Sequence, residues 1–391
     1  MTSHDPAAPR VHPLFGPNKL KLGVFGMNGS GTVMTKHPDR HTPSWAYTSQ
    51  LGQMIDQAGF EAIVPYSRWH AFGDAHHFSG QVLDPFVWAG ALGATTSNPS
   101  VFSTVHTTTT HPIVAAKQGA TIDDISNGRF TLNVVCGWFM PEMEMFGGDF
   151  DPDRRYDHAE EWITIIKKLW TEPDGFDFDG EFFQLKDAML APKPASSPMP
   201  PIMNAGSSGR GRDFAAKHAD VAFIMIPDPS PEAVSAQVKS YKEYAREKYG
   251  RDIQVWAHSL VIQREDAAAG RAAFDYYTDT HGDHEAIDLF ASFQIQNHAQ
   301  TAPEILRAVR EAAAGGGGVH LFGNAQDIAD RLTMLSDAGV DGVLTTFVDF
   351  ESGLREFNET VLPLLEQRGL RGPAPEFIGT AAGRATEQAS A

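Results

Sequence analysis

The sequence predicts a single (β/α)₈ TIM barrel with insertions, a fold of the α/β class in which eight parallel strands alternate with helices. Eight short β-rich runs recur along the chain, each bounded by Gly, Pro, Asn or Ser. Helical patterns lie between these runs, as expected for successive βα units. The runs are almost uniformly apolar, which is typical of parallel strands that are covered on both faces. With 391 residues the chain is long enough for one such barrel with insertions.

The predicted elements alternate in order along the chain. The strands are residues 21–26, 61–67, 100–105, 130–136, 201–206, 221–226, 253–262 and 342–347. Helical patterns cover residues 44–57, 158–170, 231–249 and 325–338, and further helices are predicted after Asp84, after His111 and from about Arg210. Asp84-Pro85 and His111-Pro112 each place a proline in a first helical turn, where its missing N–H is not needed.

A doubly wound sheet is the competing fold for alternating strands and helices. It is disfavoured because no GxGxxG motif follows the first strand, although GMNGSG at 26–31 contains glycines.

Two segments are too long for simple loops. Residues 172–200 predict a hairpin, and residues 279–323 end in a glycine-rich tract that predicts a flexible lid beside the strand ends.

The chain is therefore expected to form one domain with two tails. The barrel spans residues 20–371, with insertions near 172–200 and 279–323, and flexible tails are expected at 1–19 and 372–391.

The charge and composition disfavour several classes of protein. The 49 acidic and 31 basic residues give a formal charge of −18, which repels nucleic acid and anionic membranes. One cysteine permits no internal disulfide and no cysteine-based zinc site. No run of about 18 apolar residues predicts a membrane span, and the first residues do not resemble a secretory signal. These features predict a soluble cytoplasmic protein.

Candidate site residues lie where the predicted strands end, because active sites of such barrels occupy that edge. The second strand ends at Ser67 and Arg68, and the third ends at Thr104 and His106. The fourth carries Asn133 and ends in Cys136-Gly137-Trp138. The fifth runs into Gly206-Ser207-Ser208-Gly209 before a helix, a pattern that suits an anion at a helix N-terminus. From these residues alone, a plain βα turn with a serine N-cap is the favoured alternative.

A second anion-binding candidate is Arg154-Arg155-Tyr156 at the head of the fourth helix. Arginine can bind a phosphate with two hydrogen bonds, and tyrosine can donate another. The alternative is that the arginines pair with acidic neighbours on a solvated face, and for Arg154 this interpretation is favoured. The acidic neighbours considered are Asp151, Asp153 and Glu160.

Neither a metal site nor a cysteine nucleophile is predicted. The histidines of HTTTTH at 106–111 and the pair His76-His77 are not accompanied by HExxH or by carboxylates at metal-binding spacing. Cys136 follows two valines of an apolar strand, which favours a small buried side chain over a reactive thiolate.

Taken together, these segments resemble the bacterial luciferase-like flavin monooxygenases. The most specific match is the string ATID, NGR and N-x-V-x-GW within residues 115–138. Individually weaker matches cover most of residues 20–368, at VFGMNGSG (24–31), PEMEMFG (141–147), RRYDHAEEW (154–162), FDFDGEFFQL (176–185), PKP (192–194), NAGSSGRGRDFAAKHAD (204–220) and GVLTTFVDF (342–350). Within this family the chain is most similar to pyrimidine, dimethyl sulfone and polychlorinated-benzene monooxygenases.

The resemblance implies a cofactor and the residues that bind it. The cofactor would be FMN in its reduced form, FMNH₂, supplied by a separate NAD(P)H-dependent flavin reductase, with O₂ as co-substrate. The residues implied near the flavin ring are Ser67, Arg68, Asn133 and Glu142, and those implied at its phosphate are Arg155, Tyr156, Ser207 and Ser208. Thr104 and Asn133 would be catalytic, since in pyrimidine-type enzymes the matching positions line the pocket where oxygen meets the flavin. The oxygenating species there is thought to be an N5-peroxide rather than a C4a-peroxide.

The chain departs from the family at two places. Cys136 stands where relatives commonly have threonine or serine before the Gly-Trp pair, and VHTTTTHP at 105–112 is unusually polar. His106 is therefore a candidate to face the substrate, and Trp138 is a candidate aromatic wall.

The implied activity is a two-component monooxygenase that transfers one oxygen atom to a small heterocycle, sulfone or halogenated aromatic. An F420-dependent oxidoreductase of the same fold and a non-catalytic FMN-binding protein are the alternatives. Relatives of this kind form dimers or tetramers.

Overall fold

The computed structural model describes residues 11–74, 76–147, 151, 154–206, 208–294 and 303–374. Eight of its strands close into a parallel barrel: β1 (Lys21–Phe25), β2 (Ala62–Val64), β3 (Ser100–His106), β4 (Phe130–Val135), β7 (Ile202–Asn204), β8 (Val221–Ile224), β9 (Gln254–Gln263) and β11 (Gly342–Thr346). The ring closes where β9 pairs with both β8 and β11, and β11 pairs with β1. The predicted fold is confirmed, and all eight predicted strands are present.

Helices connect the strands, and most of them cover the outside of the barrel. They are α1 (Trp45–Gln57), α2 (Pro85–Thr95), α3 (Pro112–Ile125), α4 (Met140–Met145), α5 (Arg155–Thr171), α6 (Gly209–His218), α7 (Pro231–Tyr249), α8 (Ala267–Asp275), α9 (His284–Gln294), α10 (Pro303–Ala314), α11 (Ala325–Asp337), α12 (Phe350–Glu356) and α13 (Leu362–Gln367). In the residues described, none of them is long and apolar enough to cross a membrane.

Local sequence signals determine where several helices begin. The Asp84 carboxylate accepts a hydrogen bond from Val87 N at 2.8 Å, and a ring nitrogen of His111 accepts one from Ile113 N at 3.3 Å. Both caps precede a proline in the first turn, as predicted. α5 begins at Arg155, three residues before the predicted start, so Arg155 and Tyr156 lie in its first turn.

The base of the barrel is filled by apolar side chains that point inward from its strands. Phe102, Trp256 and Leu344 are fully buried there, together with Leu14 from a short turn at Pro13–Phe15. Gln254 Nε2 also donates to Leu14 O at 2.7 Å. The described part of the expected N-terminal tail therefore closes the base, while residues 1–10 and 375–391 lie outside the described residues.

The two predicted insertions leave the barrel at different places. Within 172–200, β5 (Phe176–Asp179) and β6 (Gln184–Ala188) form the predicted antiparallel hairpin. Within 279–323, α9 and α10 are followed by β10 (Val319–Gly323), a strand that the sequence analysis did not predict. β10 forms because β9 is ten residues long and β8 pairs only with its first half. The second half of β9 leaves an edge with which Val319 to Gly323 pair in parallel.

The second insertion is held against the loops that follow β1 and β2. Asp283, which is fully buried, accepts a hydrogen bond from Phe78 N at 2.8 Å and lies 2.9 Å from Nδ1 of His77. Burial raises the pKa of Asp283, but His77 and the Phe78 N–H outweigh it, and the pKa is lowered. Thr35 forms an isolated antiparallel bridge with Gly282 beside this contact. These contacts place the insertion over the carboxyl ends of the strands.

Candidate active site

A cavity of about 540 Å³ lies at the carboxyl ends of the strands, under the second insertion. Its walls are largely aromatic, which suits a flat conjugated ligand. The phenylalanines among its lining residues are Phe25, Phe72, Phe78, Phe223, Phe290 and Phe293. Most predicted site residues also line it, namely Ser67, Arg68, Thr104, His106, Asn133, Trp138, Arg155, Tyr156 and Ser208. Trp138 forms part of the aromatic wall, with Phe72 at 6.1 Å and Phe290 at 5.6 Å between ring centroids.

One end of the cavity combines the two anion-binding candidates of the sequence. The guanidinium of Arg155 lies 5.3 Å from the Tyr156 ring centroid, and its Nη1 donates to Gly137 O at 3.3 Å. The Tyr156 hydroxyl is hydrogen-bonded to the side chain of Ser208, the N-cap of α6. Burial raises the pKa of Tyr156, so its hydroxyl keeps its proton and can donate. A cation, hydroxyl groups and a helix N-terminus therefore meet at one point.

The turn before α6 needs a glycine at Gly206. A Cβ there would lie 2.6 Å from the backbone of Gly211, too close for any other residue. Asn204 fixes the same turn, because its Oδ1 accepts from Gly206 N at 2.9 Å and its Nδ2 donates to Val134 O at 2.7 Å. Asn204 was a strand-end candidate to which the sequence analysis assigned no role, and Ser207 lies outside the described residues.

Arg154 points away from the cavity, as the favoured interpretation of the sequence held. Its guanidinium makes two hydrogen bonds of 2.7 Å to Glu181, and its Nε donates to Asp157 at 3.0 Å. These two partners were not among the predicted Asp151, Asp153 and Glu160. Asp153 lies outside the described residues, and the backbone N–H of Arg154 donates to Asp151 O at 2.9 Å. Glu181 lies between β5 and β6, so only the folded hairpin brings it to Arg154.

Asn133 and Thr104 are paired across neighbouring strands, and their hydrogen bonds determine how the amide is oriented. The Thr104 hydroxyl donates to Pro65 O at 2.5 Å, and a carbonyl can only accept. The hydroxyl oxygen therefore accepts from Asn133, whose Nδ2 lies 3.0 Å away. The Oδ1 of Asn133 is buried and has no hydrogen-bond partner among the described residues. The group that Asn133 offers to a ligand in the cavity is consequently an acceptor.

A buried charge cluster lies beside this pair. Glu142 Oε2 lies 2.7 Å from His106 Nδ1, and Glu142 Oε1 accepts from Trp69 N at 2.5 Å and lies 3.7 Å from Arg68 Nη1. Burial raises the pKa of Glu142, but His106, Arg68 and the Trp69 N–H outweigh it and lower the pKa. Arg68 is surrounded by the rings of Phe72, Trp138 and Phe139 at 4.9 to 5.0 Å, and burial lowers the pKa of its guanidinium.

Glu142, which was expected close to the flavin ring, lies directly behind the cavity wall. Among the described residues it does not line the cavity and is fully buried. Arg68 and His106 stand between Glu142 and the cavity. Its contact to the cavity is therefore indirect, through the two side chains that it holds.

Two further cavity residues were missed by the sequence analysis. Tyr66 accepts a hydrogen bond from Ser30 N at 2.8 Å, and Gly29 of the GMNGSG segment allows this approach, since a Cβ there would overlap the Tyr66 hydroxyl. His258 projects from β9, and burial lowers its pKa to about 4 despite a hydrogen bond to the Gly316 backbone. Both residues lie within runs that the sequence predicts as strands, where no motif sets them apart. Only the structure shows that their side chains reach the cavity.

Cys136 lines the cavity but is only 5% exposed, and burial raises the pKa of its thiol to about 12. At neutral pH the thiolate is therefore almost absent, and we expect Cys136→Ser to keep activity within about tenfold, since no contact made only in the transition state is lost. Iodoacetamide should leave the native protein unmodified. Because Cys136 is the only cysteine, one added carbamidomethyl group in an intact mass spectrum would identify it. Rapid alkylation together with an inactive serine variant would instead indicate a nucleophile.

The residues present fit a flavin nucleotide. The cationic, hydroxyl-lined end suits a phosphate, the aromatic side chains suit a three-ring system, and the buried Asn133 amide oxygen has no donor among the described residues. No cluster of three or more metal-ligating side chains occurs in the part of the chain that the structure describes. Fold and site together are typical of barrel enzymes that bind an organic cofactor at their strand ends.

Comparisons with known proteins agree with this class. Residues 21–342 match the family described as luciferase-like monooxygenase. The pyrimidine monooxygenase RutA of Acinetobacter baylyi is 30% identical over 359 residues, covering 89% of this chain and 95% of the relative. RutA of Rhizobium rhizogenes is 31% identical, covering 89% and 97%. The chain belongs to the luciferase-like monooxygenase family, which confirms the predicted family and the prediction of a flavin-dependent monooxygenase.

Solved structures of low sequence identity share the fold. The long-chain alkane monooxygenase LadA has a TM-score of 0.80 at 23% identity, covering 93% of this chain and 95% of its own. DmoA from Hyphomicrobium sulfonivorans has a TM-score of 0.78 at 21% identity, covering 93% of each chain.

Proposed function

We propose that the protein is a two-component monooxygenase that binds FMNH₂ and transfers one atom of O₂ to a small organic substrate. The observation that carries this proposal is one cavity with a cationic end at Arg155, Tyr156 and Ser208 and an unsatisfied acceptor at Asn133. The first suits the phosphate of FMN, and the second suits a ring N–H. Reduced flavin carries ring N–H groups that oxidised flavin lacks, so an acceptor in this wall favours the reduced form.

The oxygen chemistry belongs to the cofactor when it is bound, and the residues of this chain bind, orient and shield it. Arg155, Tyr156 and Ser208 would hold the phosphate. Asn133, fixed by Thr104, would orient the ring, while the second insertion excludes water from the cavity. Ser67 and Arg68 stand at the wall that follows β2 and would border the ring there.

The substrate would occupy the cavity beside the flavin. Because the relatives at 30–31% identity are pyrimidine monooxygenases, a nitrogen heterocycle is the first class to test, ahead of sulfones and halogenated aromatics. A separate NAD(P)H-dependent reductase would supply the reduced cofactor.

The first test is anaerobic titration with oxidised and reduced FMN. We expect reduced FMN to bind at least about tenfold more tightly, a difference of about 1.4 kcal/mol, because only the reduced ring has the additional N–H donors. Adding NADH alone should not reduce the bound flavin. Rapid reduction by NADH without a reductase would contradict the two-component proposal.

Turnover then identifies the substrate class. The protein, FMN, NADH and a flavin reductase are incubated under ¹⁸O₂ with a panel of heterocycles, sulfones and halogenated aromatics. Mass spectrometry should find one ¹⁸O atom in one product class. Reduced cofactor that yields only hydrogen peroxide across the panel would argue against a monooxygenase for these substrates.

A further inference from the structure

A buried histidine–carboxylate pair lies at the cavity wall and has no part in the proposed cofactor contacts. His106 ends β3, is 2% exposed and lines the cavity. Its Nδ1 lies 2.7 Å from Oε2 of Glu142, which comes from α4 and is fully buried. The two atoms are within hydrogen-bond distance, although their alignment is poor for a hydrogen bond, and Nε2 is the ring nitrogen that does not face the carboxylate.

Two cationic or ionisable side chains face the Glu142 carboxylate. His106 lies against one of its oxygens, and Nη1 of Arg68 lies 3.7 Å from the other. The strand neighbour of His106 is Val135, which carries no charge. A carboxylate hydrogen-bonded to one imidazole nitrogen fixes the tautomer and stabilises the imidazolium that forms when the other nitrogen takes a proton.

We propose that His106 is a catalytic acid–base residue and that Glu142 is its positioning residue. In the forward step a substrate N–H or O–H bond breaks, its proton moves to Nε2, and its electron pair stays on the substrate heteroatom. The imidazolium so formed is paired with Glu142, and it returns the proton to the product at the end of the cycle. His106 therefore ends each turnover in the protonation state in which it began.

This assignment rests on the proposed monooxygenase function and narrows its substrate class. A proton-accepting group at the wall suits a substrate with an acidic N–H or O–H. Lactam-type nitrogen heterocycles and phenols meet this requirement, whereas sulfones and fully halogenated aromatics do not. The nearby Asn133 and Thr104 act on the cofactor side and do not replace this function.

The chain offers a matched control pair on the outside of the barrel. His218 Nε2 lies 2.8 Å from Oε2 of Glu160, and the His218 side chain is also nearly buried. This pair joins α6 to α5, and neither residue is among those that line the cavity. His218→Gln therefore reports the structural cost of losing a histidine–glutamate pair without touching the site.

The test without turnover uses flavin-free protein with uracil and its fully N-methylated analogue as probes. Wild type and His218→Gln should bind uracil with an ultraviolet difference spectrum of a ring whose N–H is hydrogen-bonded to Nε2, and His106→Gln should lose that spectrum. The N-methylated analogue should give no such spectrum in any variant. A downfield imidazole N–H resonance in ¹⁵N-histidine-labelled protein should disappear in both His106→Gln and Glu142→Gln, and persist in His218→Gln.

The turnover test uses the reductase-coupled assay. His106→Gln should lower kcat for N–H substrates by about 10²-fold, within the usual range for a general acid–base residue. Glu142→Gln should lower kcat less, because the imidazole remains at the cavity wall but loses the carboxylate that positions it. Thermal melting of each variant establishes that it folds.

The outcomes separate two failures. If no probe is oxygenated by any variant, the proposed function fails. If N–H and N-methylated probes are oxygenated equally well, or His106→Gln keeps the wild-type kcat and spectrum, the function stands and the acid–base assignment is overturned. A loss of kcat in His218→Gln as large as in His106→Gln would also overturn it, since the effect would then be structural.

Discussion

Asn133→Ala is expected to lower oxygenation by about 10²–10³-fold, the usual cost of removing one polar group from a reacting centre. The Oδ1 of Asn133 is buried and lacks a partner among the described residues, so it is free for the cofactor ring. The fold and most of the FMN affinity should survive, because the anion-binding residues lie at the other end of the cavity. The measurement is product formed per FMNH₂ supplied, with hydrogen peroxide counted as the uncoupled fraction.

Thr104 supplies a matched control for the orientation of this amide. Thr104→Ser keeps the hydroxyl that donates to Pro65 O and accepts from Asn133. Its coupling, the product formed per FMNH₂ supplied, should be nearly that of wild type. Thr104→Val keeps the shape but removes the hydroxyl, and coupling should fall by roughly tenfold, the equivalent of one hydrogen bond. An Asn133→Ala protein that couples as well as wild type would show that the amide oxygen does not act on the cofactor.

The sequence predicts the barrel well because each strand of the barrel can be recognised from a local residue pattern. Apolar runs bounded by turn residues mark all eight strands, and the rule that sites lie at strand ends selects Thr104 and Asn133. Their pairing then follows from the parallel register of β3 and β4, in which Thr104 is opposite Asn133.

Other features depend on contacts that no local pattern encodes. β10 exists because a long neighbouring strand leaves an edge, and Arg154 is paired by a hairpin that lies 27 residues further along the chain. The position of Glu142 behind Arg68 and His106 depends on how α4 packs after β4. The polar HTTTTH segment does mark His106 as unusual in the sequence, whereas no local pattern marks Glu142 as its partner.

Arg155→Ala is expected to weaken FMN binding by about 1.5–3 kcal/mol, the range for a hydrogen bond to a charged group. That loss corresponds to roughly a ten- to 150-fold higher Kd. The guanidinium lies at the cavity wall beside Tyr156, and its one hydrogen bond in the described structure, to Gly137 O, is long at 3.3 Å. Its remaining N–H groups are therefore available to a phosphate. The measurement is an anaerobic titration that follows flavin absorbance or fluorescence.

Two comparisons decide whether this loss comes from the phosphate. Riboflavin has the same ring without a phosphate, so its affinity should be nearly equal in wild type and in Arg155→Ala. Arg154→Ala removes the neighbouring arginine, whose half-exposed side chain is paired with Glu181 and Asp157, and it should change FMN affinity little because exposed ion pairs contribute little. Equal losses in the two arginine variants, or an equal loss for riboflavin and FMN, would mean that Arg155 shapes this end of the cavity without binding the phosphate.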